Sequence, residues 1–211
     1  MPITFPPSGL YVISDARLQS PEHLCRQVRL AIEGGAMVVQ YRDKSQDQER
    51  RVLEADALLQ LCHAHSIPLI INDDIELAMA IQADGLHIGR EDTDLQLARQ
   101  RLGPDAIIGV SCYNEWNRAT AAVNNGANYI AFGRFFESTT KPDTTQATLG
   151  LLERAHSELS VPIVAIGGIT PENGATLIHA GADCLAVIAG VFAQPDVLAA
   201  ARQYKLLFNS R

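Results

Sequence analysis

Short apolar runs recur along the chain, and stretches with a helical spacing of apolar residues separate them. Eight of these runs are rich in β-branched and aromatic residues and predict strands. They are Leu10–Ser14, Met37–Tyr41, Leu69–Ile71, Gly85–Ile88, Ile107–Val110, Tyr129–Phe132, Ile163–Ile166 and Cys184–Ile188. The pattern therefore predicts a regular alternation of β-strand and α-helix along the chain.

Proline, aspartate and glycine mark the ends of the predicted helices. Pro21 and Pro171 stand where helices begin, and Asp74 precedes an apolar helical stretch as an N-cap. Glycine repeatedly stands where a helix must end and a strand must begin. The repeated segments are Glu33-Gly34-Gly35-Ala36, Asn125-Gly126-Ala127-Asn128 and Ala180-Gly181-Ala182-Asp183.

Eight strand–helix units in 211 residues predict one α/β domain, a single (β/α)8 TIM barrel over residues 1–211. Residues 1–8 precede the first predicted strand and form a short N-terminal extension. A doubly wound open sheet is the alternative, because the same alternation builds it. Regular units without a large insertion favour the closed barrel.

Composition narrows the class of protein. A hydrophobic content of 47% with 19% charged residues is typical of a globular chain. The net charge of −7 argues against nucleic acid as a partner. The four cysteines, Cys25, Cys62, Cys112 and Cys184, are scattered without a Cys-x-x-Cys pair, as expected for reduced thiols. We therefore expect a cytoplasmic protein without a membrane span. Whether it forms a homo-oligomer is left open by the sequence.

Polar side chains gather at the carboxyl end of the second predicted strand. Val38, Gln40 and Arg42 share one face by the two-residue period of a strand, and Val39 and Tyr41 take the other. In a (β/α)8 barrel, chemistry lies at the carboxyl ends of the strands. Gln40 and Arg42 are therefore expected to point into the barrel mouth, with Lys44 just beyond them in the sequence.

Carboxylates follow the third and fourth predicted strands. Asp73 and Asp92 come from neighbouring strand ends, and strands in a sheet lie about 4.8 Å apart. Two such carboxylates can share Mg2+, which also takes phosphate oxygens as ligands. Asp74 is better explained as a helix cap.

Three later strand ends carry hydroxyl groups, cations and glycines. Ser111 ends the fifth strand, and the segment Glu137-Ser138-Thr139-Thr140-Lys141 after the sixth has the composition of an anion-binding loop. Gly167 and Gly168 follow the seventh strand, where backbone N–H groups can approach a phosphate.

Other polar residues are better explained by structure than by chemistry. His63 and His65 are two positions apart on a helix and make a poor metal pair. His87 lies in a strand and is expected to be a hydrogen-bonded core histidine. Cys112 has no evident activating partner, so it is not expected to act as a nucleophile.

The ordered set of strand-end motifs resembles the thiamine phosphate synthase family from about residue 9 to residue 195. The motifs are Tyr11-Val12-Ile13-Ser14-Asp15, Gln40-Tyr41-Arg42-Asp43-Lys44, Asn72-Asp73, Ala83-Asp84-Gly85-Leu86-His87-Ile88-Gly89, Glu91-Asp92, Gly109-Val110-Ser111, Ser138-Thr139-Thr140-Lys141 and Ala165-Ile166-Gly167-Gly168-Ile169.

The resemblance implies that 4-amino-2-methyl-5-hydroxymethylpyrimidine diphosphate is joined to 4-methyl-5-(2-hydroxyethyl)thiazole phosphate, with loss of diphosphate. It implies a pyrimidine-diphosphate site of Gln40, Tyr41, Arg42, Asp43, Lys44, Asn72, Ser111 and Lys141. Among these, Arg42, Lys44, Ser111 and Lys141 are the implied catalytic residues. It further implies Mg2+ on Asp73 and Asp92, and a thiazole-phosphate site of Ser138, Thr139, Thr140, Gly168, Ile188 and Ala189.

Three positions depart from the pattern that the resemblance implies. Ser138 stands where threonine is common, Ala189 where serine is common, and Arg90 where glutamine is frequent. Ala189 removes a side-chain donor and leaves its backbone N–H. The implied reaction is dissociative, so it needs stabilisation of the leaving diphosphate and no nucleophile. The alternatives are a thiazole tautomerase on the same barrel, another enzyme of phosphorylated metabolites, and a non-catalytic barrel that binds thiamine precursors.

Overall fold

The computed structural model describes residues 3–89, 94–137 and 146–210, in which strands and helices alternate. The strands are β1 (Gly9–Ile13), β2 (Ala36–Tyr41), β3 (Leu69–Asn72), β4 (Gly85–Ile88), β5 (Ile107–Tyr113), β6 (Tyr129–Gly133), β7 (Ile163–Ile166) and β8 (Cys184–Val187). The helices are α1 (Pro21–Glu33), α2 (Gln48–Ala64), α3 (Ile75–Ala80), α4 (Leu95–Leu102), α5 (Trp116–Asn124), α6 (Leu149–Glu158), α7 (Pro171–His179), α8 (Ala189–Phe192) and α9 (Val197–Leu207). A 3-10 turn, Phe208–Ser210, follows α9.

The strands form one closed parallel barrel in sequence order. Closure is made by β1 and β8, which pair in parallel from Gly9 with Cys184 to Val12 with Val187. This pairing confirms the (β/α)8 barrel and excludes the doubly wound open sheet, which would leave two strand edges unpaired. Each predicted strand is present, and β5 continues past its predicted end at Val110 to Tyr113.

The two faces of each strand serve different parts of the core. Val38 on β2 packs in the barrel interior with Tyr11 and Tyr129. Val39 and Tyr41 face the helices and join the larger apolar layer between strands and helices. The predicted alternation of β2 is therefore confirmed. Because inward and outward positions alternate, a polar residue on the inward face near a strand's carboxyl end is carried into the barrel mouth.

The predicted helix boundaries follow from local chemistry. Pro21 and Pro171 occupy the first turns of α1 and α7, where a missing N–H costs nothing. The Asp74 carboxylate accepts a hydrogen bond from the Leu77 N–H at 3.0 Å, which confirms the predicted cap. Gly181, after α7, has a φ of 106°, a conformation that few residues other than glycine adopt.

The N-terminal extension contributes to the interior of the barrel. Phe5 stacks on Tyr129 with ring centroids 4.0 Å apart and an interplanar angle of 13°. Tyr129 is the first residue of β6, so Phe5 covers the amino-terminal end of the interior. In the described parts of the chain, no helix combines the length and the apolar character needed to cross a bilayer.

Candidate active site

A cavity of about 490 Å³ opens at the carboxyl ends of the strands. Its wall is made by residues from the ends of β1 to β8 and from the loops that follow them, as expected for the catalytic face of this fold. Among the predicted site residues, the wall contains Gln40, Arg42, Asn72, Ser111, Gly168, Ile188 and Ala189. The structure therefore brings some residues of each predicted substrate site to one cavity.

Arg42 is held at the rim by residues that follow β1. Its backbone N–H donates to Ser14 Oγ at 2.9 Å, and one guanidinium nitrogen lies 3.6 Å from Asp15 Oδ2. Asp15 is buried and accepts hydrogen bonds from the Arg17 guanidinium. The hydrogen bond from Arg17 is the largest cause that lowers the pKa of Asp15. An ionised Asp15 thus orients Arg42, a role that the sequence analysis missed.

The side chains of Tyr41 and Asp43 do not line the cavity, contrary to the site that the resemblance implies. The Tyr41 hydroxyl donates to Glu54 on α2 at 2.6 Å, on the outer side of β2. Asp43 is buried and accepts from Arg50 at 2.6 Å and from the Ser45 N–H at 2.7 Å. Because β2 alternates, residues 41 and 43 face away from Gln40 and Arg42. These two side chains hold the loop, and only their backbone is left to contact a ligand.

Lys44 and Asp73 are not among the residues that line the cavity, and they form an ion pair with side chains 59% and 22% exposed. Asp73 has a φ of 62°, and its N–H donates to the His87 carbonyl at 2.9 Å. Its carboxylate is a hard oxygen donor that already attracts a cation, which fits the chemistry of a Mg2+ ligand. The second predicted ligand, Asp92, lies outside the described residues. Within those residues, no group of three or more His, Cys, Asp or Glu could hold a metal ion.

His87 connects the cavity wall to the barrel interior. Its Nε2 lies 2.9 Å from Ser111 Oγ, and its Nδ1 lies 2.9 Å from the Tyr129 hydroxyl. The prediction of a hydrogen-bonded buried histidine is confirmed, but His87 also lines the cavity. The alternation of β4 carried the missing signal, because the neighbouring Leu86 faces the helices.

The loops after β7 and β8 form the opposite side of the cavity. Gly167 and Gly168 have φ values of 106° and 63°. A Cβ on Gly168 would lie 2.3 Å from the Glu137 carbonyl oxygen, so only glycine fits there. Asn173 donates to the Gly168 carbonyl at 3.0 Å and fixes this loop at the start of α7. The arrangement brings backbone of two loops to one wall, as in the phosphate sites of (β/α)8 barrels.

Several predicted residues lie outside the described parts of the chain. They are Ser138, Thr139, Thr140 and Lys141, together with Asp92. Cys112 is buried on β5, and burial raises the pKa of its thiol to about 12, which fits an unreactive thiol.

The closed parallel barrel with its polar cavity at the carboxyl ends of the strands places the chain among the (β/α)8-barrel enzymes. The sequence model of the family described as "Thiamine monophosphate synthase" matches residues 10–191. The chain belongs to this family and is a transferase of thiamine biosynthesis.

Curated relatives and a solved structure agree with this placement. The chain is 52% identical over 202 residues to the thiamine-phosphate synthase of Nitrosococcus oceani, covering 96% of this chain and 93% of the relative. It is 48% identical over 204 residues to that of Aromatoleum aromaticum, covering 96% of this chain and 97% of the relative. The structure of a thiamine phosphate pyrophosphorylase from Pyrococcus furiosus superposes with a TM-score of 0.87 at 32% identity, covering 96% of both chains.

Proposed function

We propose that the chain joins 4-amino-2-methyl-5-hydroxymethylpyrimidine diphosphate to 4-methyl-5-(2-hydroxyethyl)thiazole phosphate, giving thiamine phosphate and diphosphate. One observation carries the proposal: Gln40, Arg42, Asn72 and Ser111 share a cavity with the glycine loop around Gly168. Two phosphorylated substrates bound at these two walls would meet between them. Holding the two substrates in this way lowers the entropy cost of bringing them together in the transition state.

The diphosphate end would be bound by the cations of the β2–α2 loop. Arg42 supplies a planar fork of donors that matches phosphate oxygens, and Lys44 supplies a mobile ammonium group. Hydrogen bonds to charged groups contribute roughly 1.5–3 kcal/mol each. Lys141, which lies outside the described residues, stays a predicted third cation.

Mg2+ would be held by Asp73 and Asp92. Bound there, it would supply positive charge for the diphosphate oxygens. Lys44 would then exchange its contact with Asp73 for a contact with the substrate. This exchange needs no change of backbone, because the Lys44 side chain is largely exposed.

The proposed reaction breaks the bond between the pyrimidine methylene carbon and the diphosphate oxygen. The electron pair leaves on the diphosphate, and the thiazole nitrogen donates its lone pair to the resulting carbocation. Arg42, Lys44 and Ser111 would stabilise the negative charge that grows on the leaving oxygens. Only contacts that strengthen in the transition state accelerate the step. The reaction requires no covalent enzyme nucleophile, which agrees with an inert Cys112.

The experiment is a turnover assay with both purified substrates, with and without Mg2+, following thiamine phosphate by fluorescence after oxidation. Formation of product that depends on both substrates and on Mg2+ is the expected result. Binding of the substrates without turnover would instead favour a precursor-binding barrel. Turnover that persists after removal of divalent ions would reject the proposed role of Asp73 and Asp92.

A further inference from the structure

A chain of four hydrogen bonds crosses the barrel interior at the base of the cavity, whose wall includes Tyr11, Gln40, His87 and Ser111. The Gln40 amide nitrogen donates to the Tyr11 hydroxyl at 2.7 Å, and the Tyr11 and Tyr129 hydroxyls lie 2.9 Å apart. Tyr129 lies 2.9 Å from His87 Nδ1, and His87 Nε2 lies 2.9 Å from Ser111 Oγ. The five residues come from five different strands, so only the closed barrel brings them into one line.

The middle of this chain of hydrogen bonds is buried. Tyr11 and Tyr129 are 1% and 0% exposed. Phe5 stacks on the ring of Tyr129 from the amino-terminal side. On β5, a Cβ on Gly109 would lie 1.9 Å from Tyr129 Cζ, so the Tyr129 ring occupies the space above this glycine. Burial is the largest cause that raises the pKa of both tyrosines, and each hydroxyl therefore keeps its single proton.

Because each tyrosine hydroxyl has a single proton, the hydrogen bonds run in one direction, from Gln40 to Ser111. The Gln40 amide donates a hydrogen bond to the Tyr11 oxygen, so the Tyr11 hydroxyl donates its own hydrogen bond to the Tyr129 oxygen. The Tyr129 hydroxyl in turn donates a hydrogen bond to His87 Nδ1, which accepts it with its lone pair. A neutral imidazole that accepts at Nδ1 carries its proton on Nε2. His87 therefore donates to Ser111 Oγ, and the Ser111 proton is left to point away from His87.

We infer that Tyr11, Tyr129 and His87 are positioning residues that fix the Ser111 hydroxyl as a donor toward the cavity. This inference rests on the proposed function, in which Ser111 faces the departing diphosphate. A serine hydroxyl can donate or accept, and a hydroxyl turned toward His87 would present only lone pairs to an anion. The buried chain of hydrogen bonds fixes the Ser111 hydroxyl as a donor before the substrate binds. A donor oriented in advance costs no reorganisation as negative charge develops.

Nitrogen-15 NMR of the imidazole groups tests the direction without any assay of activity. The chain has six histidines, so the His87 signal is assigned by comparison with the His87→Gln variant. At neutral pH we expect the wild-type His87 signal to have the pattern of a neutral ring protonated at Nε2. In Tyr129→Phe, which removes the donor to Nδ1, we expect a mixture of the two tautomers. A wild-type ring protonated at Nδ1, or at both nitrogens, would overturn the inference.

Steady-state kinetics test the consequence for Ser111. Tyr129→Phe keeps the ring and is expected to lower kcat about tenfold, the size of one net hydrogen bond. KM for either substrate should change less, because the oriented donor matters most as charge grows on the leaving oxygen. The matched control is Tyr204→Phe, which removes another buried tyrosine hydroxyl, bonded to the Ile169 carbonyl at 2.9 Å.

The two variants separate a positioning role from a loss of packing. Equal falls of kcat in Tyr129→Phe and Tyr204→Phe, or an unchanged kcat in Tyr129→Phe, would refute the role of these hydrogen bonds in positioning the Ser111 hydroxyl. A wild-type protein without turnover would instead refute the proposed function, while the NMR measurement would still decide the direction of the hydrogen bonds.

Discussion

Arg118 on α5 fixes the backbone of Ser111, because its Nε donates a hydrogen bond to the Ser111 carbonyl oxygen at 2.7 Å. A second nitrogen of the same guanidinium donates to the Gly89 carbonyl at 2.5 Å. One side chain thus joins the ends of β4 and β5, two neighbouring strands that carry parts of the predicted diphosphate and metal sites.

Replacing Arg118 should therefore affect both stability and turnover. In Arg118→Met two partly buried carbonyls lose their donor, and we expect the free energy of unfolding to fall by about 1–3 kcal/mol. Turnover should fall as the ends of β4 and β5 separate. Urea denaturation and steady-state kinetics measure the two effects. Arg154→Met is the control, because Arg154 lies on the surface over the Trp116 ring. An Arg118→Met protein as stable and active as the control would contradict this role.

Asp73→Asn tests the proposed metal site. Asparagine has nearly the same shape and tolerates the positive φ at this position, so folding should be little changed. Loss of the carboxylate should lower turnover at least tenfold and raise the Mg2+ concentration needed for half-maximal rate. Melting temperature and Mg2+ titration of the rate provide the two measurements. An unaltered Mg2+ requirement would assign the metal to other residues.

Gly109→Ala tests the space that the Tyr129 ring occupies. The added methyl group would overlap the ring, which cannot move outward because Phe5 is stacked on it. Overpacking of this kind typically costs about 1–3 kcal/mol. Thermal unfolding measures the loss. Gly150→Ala is the control, since a Cβ there meets nothing within 4 Å. Equal melting temperatures of the two variants would show that the ring does not fill this space.

Asp15 should contribute a pH-dependent part of the stability. Its pKa is lowered in the folded state, first by the hydrogen bond from Arg17, so the unfolded chain binds the proton more tightly. The stabilisation is therefore complete above the ordinary aspartate pKa of about 3.9 and is lost as the pH falls below it. Urea denaturation of wild type and Asp15→Asn at pH 7 and pH 3 should show a difference that shrinks at the lower pH. A difference independent of pH would contradict the ionised role of Asp15.

The positions of inward-facing residues were predicted from the period of two along the strands. Val38 and Gln40 point inward and Val39 outward, because successive side chains of a strand alternate whatever lies beyond it. The same rule explains the outward position of Tyr41, which the resemblance placed in the diphosphate site. His87 obeys it as well, but a histidine's partners are not visible from spacing, and its role in the cavity was missed.

The amino-acid sequence by itself determined the eight strands, the helices between them, their caps and the strand ends at which polar residues collect, since these depend on neighbours close along the chain. Closure of the barrel through β1 and β8 depended on residues about 175 positions apart, as the pairing of Gly9 with Cys184 shows. The chain of hydrogen bonds from Gln40 to Ser111 and the hydrogen bond from Arg118 to the Gly89 carbonyl likewise join distant segments. Only the tertiary structure decided these contacts, because a hydrogen bond is set by distance and angle in space, and spacing along the chain does not define them.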